Sequence, residues 1–187
     1  MQLSPAFTME AVLDTRLVGY WSDKNLYQGA MEAADIAFRP DGTGWAYWSR
    51  VGGGFFVLRF SWDTPKDWQL VLGLREELSG RWRAERHTVR HRVTSQAACD
   101  TKIVLTYKIR AGHDVLGRPA TLLEADQPIS RGTVGDRFAL ERELAGDEQD
   151  PAARRRTGNV VQHRSAPAVN HDERSGLGRP RQSGWRS

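Results

Sequence analysis

Lys102-Ile103-Val104-Leu105-Thr106-Tyr107-Lys108-Ile109-Arg110 places Ile103, Leu105, Tyr107 and Ile109 on one side of an extended chain, and Lys102, Thr106, Lys108 and Arg110 on the other. Side chains alternate across a β-strand, so this stretch predicts one dry face and one wet face. The same two-residue period recurs upstream. Phe56, Leu58, Phe60 and Trp62 share a face against Arg59 and Ser61. Trp68, Leu70, Leu72 and Leu74 share one against Gln69 and Arg75, and Phe138 and Leu140 share one against Arg137 and Glu141.

Between these runs stand turn signals. Pro40-Asp41-Gly42-Thr43-Gly44 joins the strand-like runs 35–39 and 44–51. Asp and Gly tolerate the positive φ that tight hairpins demand. Gly52-Gly53-Gly54 and Thr64-Pro65-Lys66-Asp67 mark the next reversals, and Leu78-Ser79-Gly80 marks another. Irregular connections are expected over 87–101, 111–119 and 126–134. Eight or nine antiparallel strands follow, near 17–22, 35–39, 44–51, 54–62, 67–75, 80–86, 102–110, 120–125 and 135–142. One-faced strands in series hide their apolar surface by closing into a barrel or by folding into two facing sheets. Short sequential hairpins favour an all-β, antiparallel up-and-down barrel, and closure removes exposed edges.

The flanks read differently. Residues 5–16 predict a short helix, with Ser4 as N-cap, Pro5 at the first helical position, and Phe7, Val12 and Leu13 on one side. After Leu144 the alternation stops. Residues 145–187 hold eight arginines and five acids, a net +3 out of +4 for the chain. Too little apolar surface stands there to offset ordering entropy, so this segment is expected to be a disordered, Arg-rich tail. The expected organisation is a helical plug over 1–16, a barrel over 17–144 and the tail over 145–187.

Composition excludes several classes. Of the 187 residues 39% are apolar, and no uninterrupted apolar run approaches the roughly 18–20 residues of a membrane-spanning helix. A single cysteine, Cys99, rules out an internal disulfide framework and a multi-cysteine zinc site. The N-terminus lacks a basic start followed by about 7–15 apolar residues, so no secretory signal is read and a cytoplasmic location is expected. No nucleophile–base signature, phosphate loop or dinucleotide fingerprint stands in the chain.

Leu17-Val18-Gly19-Tyr20-Trp21, leading straight into the first strand, resembles the Gly-x-Trp start of lipocalins and the wider calycin group of barrels. Ile36-Ala37-Phe38-Arg39-Pro40-Asp41-Gly42-Thr43-Gly44 is similar to the second and third strands of small bacterial lipocalin-like domains. The resemblance spans roughly 17–142 and departs from the family over 87–119, which is longer and more polar than a regular lipocalin hairpin. It implies an internal cavity for a small, mostly apolar ligand. It also implies that Trp21 closes one end of the barrel, with an arginine of the last strand, Arg142 or otherwise Arg137, packed over it.

The candidate ligand-binding set is Phe56, Leu58, Phe60, Trp62, Trp68, Leu70, Leu72, Trp82, Tyr107 and Arg142. Inward aromatics give large contact area with few torsions, and their polar tips orient a ligand. The same faces would equally serve a filled core. Trp45 and Tyr47 could join them, although Trp48 competes on the opposite face. Tyr107, Glu124 and Arg142 could hold a ligand carboxylate or, if they converge, perform acid–base chemistry. His87 and His91, with Cys99, Asp100 and His113, have the residue types of a metal site, but Arg81, Arg83, Arg86, Arg90 and Arg92 crowd the same stretch and oppose a cation. These arginines also form a basic ribbon, yet with Trp82 expected inward no stacking platform for bases is left.

The expected function is therefore non-catalytic binding of a small apolar or amphipathic ligand, by a monomer or homodimer. No cofactor, metal, specific nucleic acid or membrane span is expected. The alternatives are a barrel enzyme of cyclase, isomerase or decarboxylase type, and an interaction module with a filled core.

Overall fold

The structure, a computed structural model, describes residues 12–85, 88–129, 136–146 and 150. Eight antiparallel strands close into an up-and-down barrel in chain order: β1 (Gly19–Ser22), β2 (Glu32–Phe38), β3 (Thr43–Arg50), β4 (Gly54–Lys66), β5 (Gln69–Glu85), β6 (Thr88–His113), β7 (Pro119–Ala125) and β8 (Arg137–Arg142). The expected strands 67–75 and 80–86 are one strand, and the expected connection 87–101 belongs to β6. Leu78-Ser79-Gly80 is not a turn. At Gly80 the hairpin bends instead, and β5 lies so close to β6 that a Cβ there would run into the Arg92 carbonyl oxygen.

The barrel is strongly staggered. From Ser22 the ladder runs one way through Asp35, Tyr47, Val57 and Leu78 to Gln96. The other way it runs through Ala139 and Leu122 to Arg110, far along the same strand. Such a stagger tilts the strands steeply and widens the interior for a given strand number. Accordingly β6 pairs with β5 over 88–106 and with β7 over 107–113.

β-Bulges reverse the alternation at several places, one of them leaving Thr94 extra in β6, where Ser79 pairs with Ser95 but Gly80 with Val93. Between Arg59 and Phe60 of β4 the partner changes from Glu76 to Leu74, so Arg75 is an extra residue in β5. Between Tyr20 and Trp21 of β1 the partner changes from Arg142 to Leu140, so Glu141 is extra in β8. One extra residue sends every later side chain to the opposite face. Leu70, Leu72 and Leu74 therefore point inward, whereas Leu78 and Trp82 point outward.

Two apolar clusters result. The larger fills the barrel and includes Trp21, Ile36, Phe38, Phe60, Trp62, Leu72, Leu105, Tyr107 and Phe138. The smaller lies on the outside, where Trp45, Phe55, Val57 and Leu78 are buried with Tyr20, Tyr47, Trp82 and Val93 against them. The bent β5–β6 hairpin covers this outer cluster: His91 meets the Phe55 ring edge-on at 5.0 Å, and the Tyr47 hydroxyl lies 3.1 Å from His91 Nε2. Ala145 packs on the same cluster, and Asp150 pairs with Arg59 at 3.0 Å. These contacts lie past the expected end of the barrel at 144. The rest of the expected tail lies outside the described residues.

The expected N-terminal helix over 5–16 is not found where the chain is described. Residues 12–18 form an irregular strap with one turn, and residues 1–11 lie outside the described residues. No helix among the described residues is long and apolar enough to cross a membrane.

Candidate functional site

The strap seals one end of the barrel. Thr64 ties it down: its backbone N–H and Oγ1 both donate to the Val12 carbonyl, at 2.7 and 2.9 Å, and Oγ1 accepts from Asp14 N–H at 2.8 Å. The Tyr107 hydroxyl donates to Asp14 Oδ2 at 2.5 Å, and the Arg16 guanidinium grips the same carboxylate. The Arg16 hydrogen bonds, and after them the one from Tyr107, hold the Asp14 carboxyl down at about 2 against the opposing effect of burial. Arg16 lies over the Trp68 ring at 4.7 Å, and Trp68 sits in the β4–β5 turn with φ of 62°. Trp21 donates its indole N–H to the Leu17 carbonyl at 2.8 Å. Trp62 donates to the carbonyls of Thr43 and Arg39, and Phe38 packs edge-on against it at 5.3 Å. Polar tips and apolar bodies are both satisfied by the protein here, so this end is a packed lid.

The opposite end is built differently, as successive rows of cross-strand neighbours show. At the level of Phe38, Gly44, Phe60 and Leu74 the interior is apolar and buried. One row toward the other end stand Ile36, Ala46, Leu58, Glu77 and Ala97, and Glu77 and Ala97 are exposed. Then come Ala34, Trp48, Phe56, Ser79 and Ser95, with Trp48 and Phe56 half-buried. Trp48 donates its indole N–H to Glu32 Oε2 at 3.2 Å, which fixes the ring near the rim. Cys99 also packs on the interior cluster toward this end while only half-buried, whereas half-buried Ile103, Ile109 and Leu140 lie toward the lid, Leu140 opposite Trp21. Apolar side chains that face inward and still meet solvent define an open mouth.

Of the candidate ligand-binding residues, Phe56, Leu58, Phe60, Trp62, Leu70, Leu72 and Tyr107 are brought together inside the barrel. Phe56 stands at the mouth, Leu58 and Phe60 deeper, and Trp62 and Tyr107 at the sealed end. Three others require correction. Trp68 is 40% exposed in the turn, where its ring meets Tyr107 at 5.9 Å and its carbonyl accepts the Tyr107 N–H. Trp82 lies in the outer cluster because the bulge at Arg75 turns β5 over. Arg142 is exposed opposite outward-facing Tyr20 because of the bulge at Glu141, and the indole N–H of Trp21 is taken by Leu17. Trp45 and Tyr47 also belong to the outer cluster, which leaves Trp48 as the inward aromatic of β3.

The acid–base trio does not converge. Tyr107 is bound to Asp14 in the lid. Glu124 faces outward between Arg110 and Arg137, at 2.7 and 2.9 Å, and these hydrogen bonds and charges lower its pKa. Arg142 is elsewhere on the outer surface. Among the described residues no group of three His, Cys, Asp or Glu side chains is placed to hold a metal ion. His91 is packed among outer aromatics, Cys99 faces the interior, and His87 lies outside the described residues.

A separate depression of about 470 Å3 lies on the outer face, between Ser61, Asp63, Gly73, Arg75 and Lys102. It does not reach the mouth. The residues at the rim, Glu32, Trp48, Arg50, Arg81 and Arg92, were missed as site residues from sequence. The signal for Trp48 was present in the register implied by the Asp41-Gly42 turn. That for Arg81 and Arg92 was hidden by the bulges.

No family model and no curated protein matches this chain.

Proposed function

We propose that the protein is a non-catalytic binder of a small apolar or amphipathic molecule, held in the mouth of a lipocalin-like barrel. The observation that carries this reading is the pair of inward aromatic side chains, Trp48 and Phe56, left half-buried at one end of a barrel whose other end the strap covers. Covering such surface with a ligand stabilises the complex by about 25 cal/mol for each Å2 removed from water. Ala34, Ala46 and Ser79 put small side chains on the inward face beside Trp48 and Phe56. A closed eight-stranded barrel is a size that holds one small ligand. The likeness of Gly19-Tyr20-Trp21 to the lipocalin start, with Trp21 at the sealed end, agrees with the same reading. The scattering of Tyr107, Glu124 and Arg142 removes the arrangement on which a barrel enzyme had been considered.

The test is titration with fatty acids, retinoids and polycyclic aromatics while recording tryptophan emission and thermal unfolding. A ligand should change the emission of native protein, change it less in Trp48→Phe, and raise the unfolding temperature. Absence of both responses across the panel would count against the reading.

A further inference from the structure

The outermost inward-facing row of the mouth is Glu32 on β2, Arg50 on β3, Gly54 on β4, Arg81 on β5 and Arg92 on β6. Three of its members are exposed arginines, and Arg81 stands directly opposite Arg92. Like charges directly opposite one another destabilise a sheet. Gly54 leaves the gap between Arg50 and Arg81 open, and the Arg50 guanidinium leans into it, 3.2 Å from where a Cβ of Gly54 would lie. Among the described residues none of the three guanidinium groups makes a side-chain hydrogen bond or ion pair, although their backbones are bonded in the sheet. One row deeper lie Trp48 and Phe56, and beyond them Leu58.

We propose that this rim binds the phosphate head of an amphiphile whose apolar tail enters the mouth past Trp48 and Phe56. The proposal rests on the ligand-binding reading above and names the ligand class for that same site. Guanidinium groups present forked donors that match phosphate oxygens two at a time, and a phosphate monoester or diphosphate has enough charge and oxygens to bridge several of them. A bound head would also relieve the Arg81–Arg92 repulsion. Residues rise about 3.3 Å along a strand, so the arginine row stands about 7 Å outside the Trp48–Phe56 row, within reach of a head attached to a tail lying there. Exposed Glu77, two rows below the arginines, repels an anion from deeper water and keeps the head at the rim. The carboxylate of Glu32 is engaged by Trp48, so the one acid in the row is turned toward the indole.

Dodecyl phosphate, dodecanoate, dodecanol and inorganic phosphate, each below any micelle concentration, distinguish the contributions of head and tail when titrated against the full chain. Dodecyl phosphate should bind most tightly, with dodecanol about 100-fold weaker, as loss of two or more charged hydrogen bonds implies. In the triple variant Arg50→Gln, Arg81→Gln, Arg92→Gln, dodecyl phosphate should fall to the affinity of dodecanol, and dodecanol should be unchanged. Unaltered dodecanol binding shows at the same time that the variant is folded. Dodecanol and dodecyl phosphate binding equally, or a phosphate preference that survives the triple variant, overturns the proposal and leaves the ligand-binding reading standing. A dodecanoate affinity equal to that of dodecyl phosphate overturns the choice of phosphate. Inorganic phosphate binding as tightly as dodecyl phosphate overturns the role of the tail. Failure of dodecanol, dodecanoate and dodecyl phosphate alike overturns both readings.

Discussion

Replacing Asp14 by Asn should loosen the lid in a way that depends on pH. Asp14 accepts hydrogen bonds from Tyr107 and Arg16, and its carboxyl is lowered from 3.8 to about 2. A drop of that size corresponds to at most about 2.5 kcal/mol of folding stability. The Arg16 side chain is 57% exposed, so solvent screening reduces the contribution to about 1–2 kcal/mol. Because the folded-state value is depressed, this contribution is complete above about pH 5 and disappears as pH falls from about 4 through 2. Urea unfolding of native protein and Asp14→Asn at pH 7, 4, 3 and 2 measures it. Native protein should be more stable by about 1–2 kcal/mol at pH 7, and that part of the difference should fall to a small fraction of itself at pH 2. A difference that is absent at pH 7, or that stays constant down to pH 2, would refute the assignment of Asp14 as the charged anchor of the strap.

Asp23 should behave with the opposite sign. Burial raises its carboxyl to about 6 although Oδ1 accepts the Ala34 N–H, so folding favours the protonated form and a penalty develops as pH rises from about 4 through 6. Asp23→Asn keeps an acceptor oxygen and should gain about 1–2 kcal/mol at pH 8 relative to native protein, with no gain at pH 3.5; urea midpoints at the two pH values check this. Phe60→Ala should cost about 3–5 kcal/mol, since Phe60 is 2% exposed and packs on Phe38. Phe56→Ala should cost less than about 2 kcal/mol yet weaken ligand binding at the mouth, so stability and affinity measured on both variants separate lining from filling. Gly80→Ala places a methyl group against the Arg92 carbonyl and should cost about 3 kcal/mol, with faster amide exchange over 88–93 as the hairpin lifts from Tyr47 and Phe55; unchanged exchange there would contradict the close approach.

Period-two alternation was sufficient to place Phe56, Leu58, Phe60 and Trp62 together, and Leu105 with Tyr107, because no bulge interrupts those runs. Parity counting failed at Trp82 and Arg142 for a single reason. An extra residue at Arg75 or Glu141 leaves no mark in the hydrophobic pattern that a one-dimensional reading can separate from ordinary noise. The strand 88–101 was read as a connection because much of its length has no apolar face: Arg92, Ser95 and Ala97 are exposed on the inward side, and Thr94, Gln96 and Ala98 are exposed too. Val93 and His91 find apolar partners in the outer cluster and Cys99 finds them inside the barrel, all contributed by other strands. The second, outer core was invisible for the same reason. Trp45, Phe55 and Val57 occupy positions that alternation assigns to water, and it is the bend at Gly80 that brings a cover over them.

The stagger of β6 gives the protein a natural parting line. Up to Thr106 that strand is held by β5, and from Tyr107 onward by β7, so the change of neighbour falls between two consecutive residues. A barrel whose staves all overlapped would loosen everywhere at once. Here the long β5–β6 arm can peel back as one piece while the Trp21 end keeps its ladder intact. The open end and the bolted end of the barrel are therefore held by different partners of one strand.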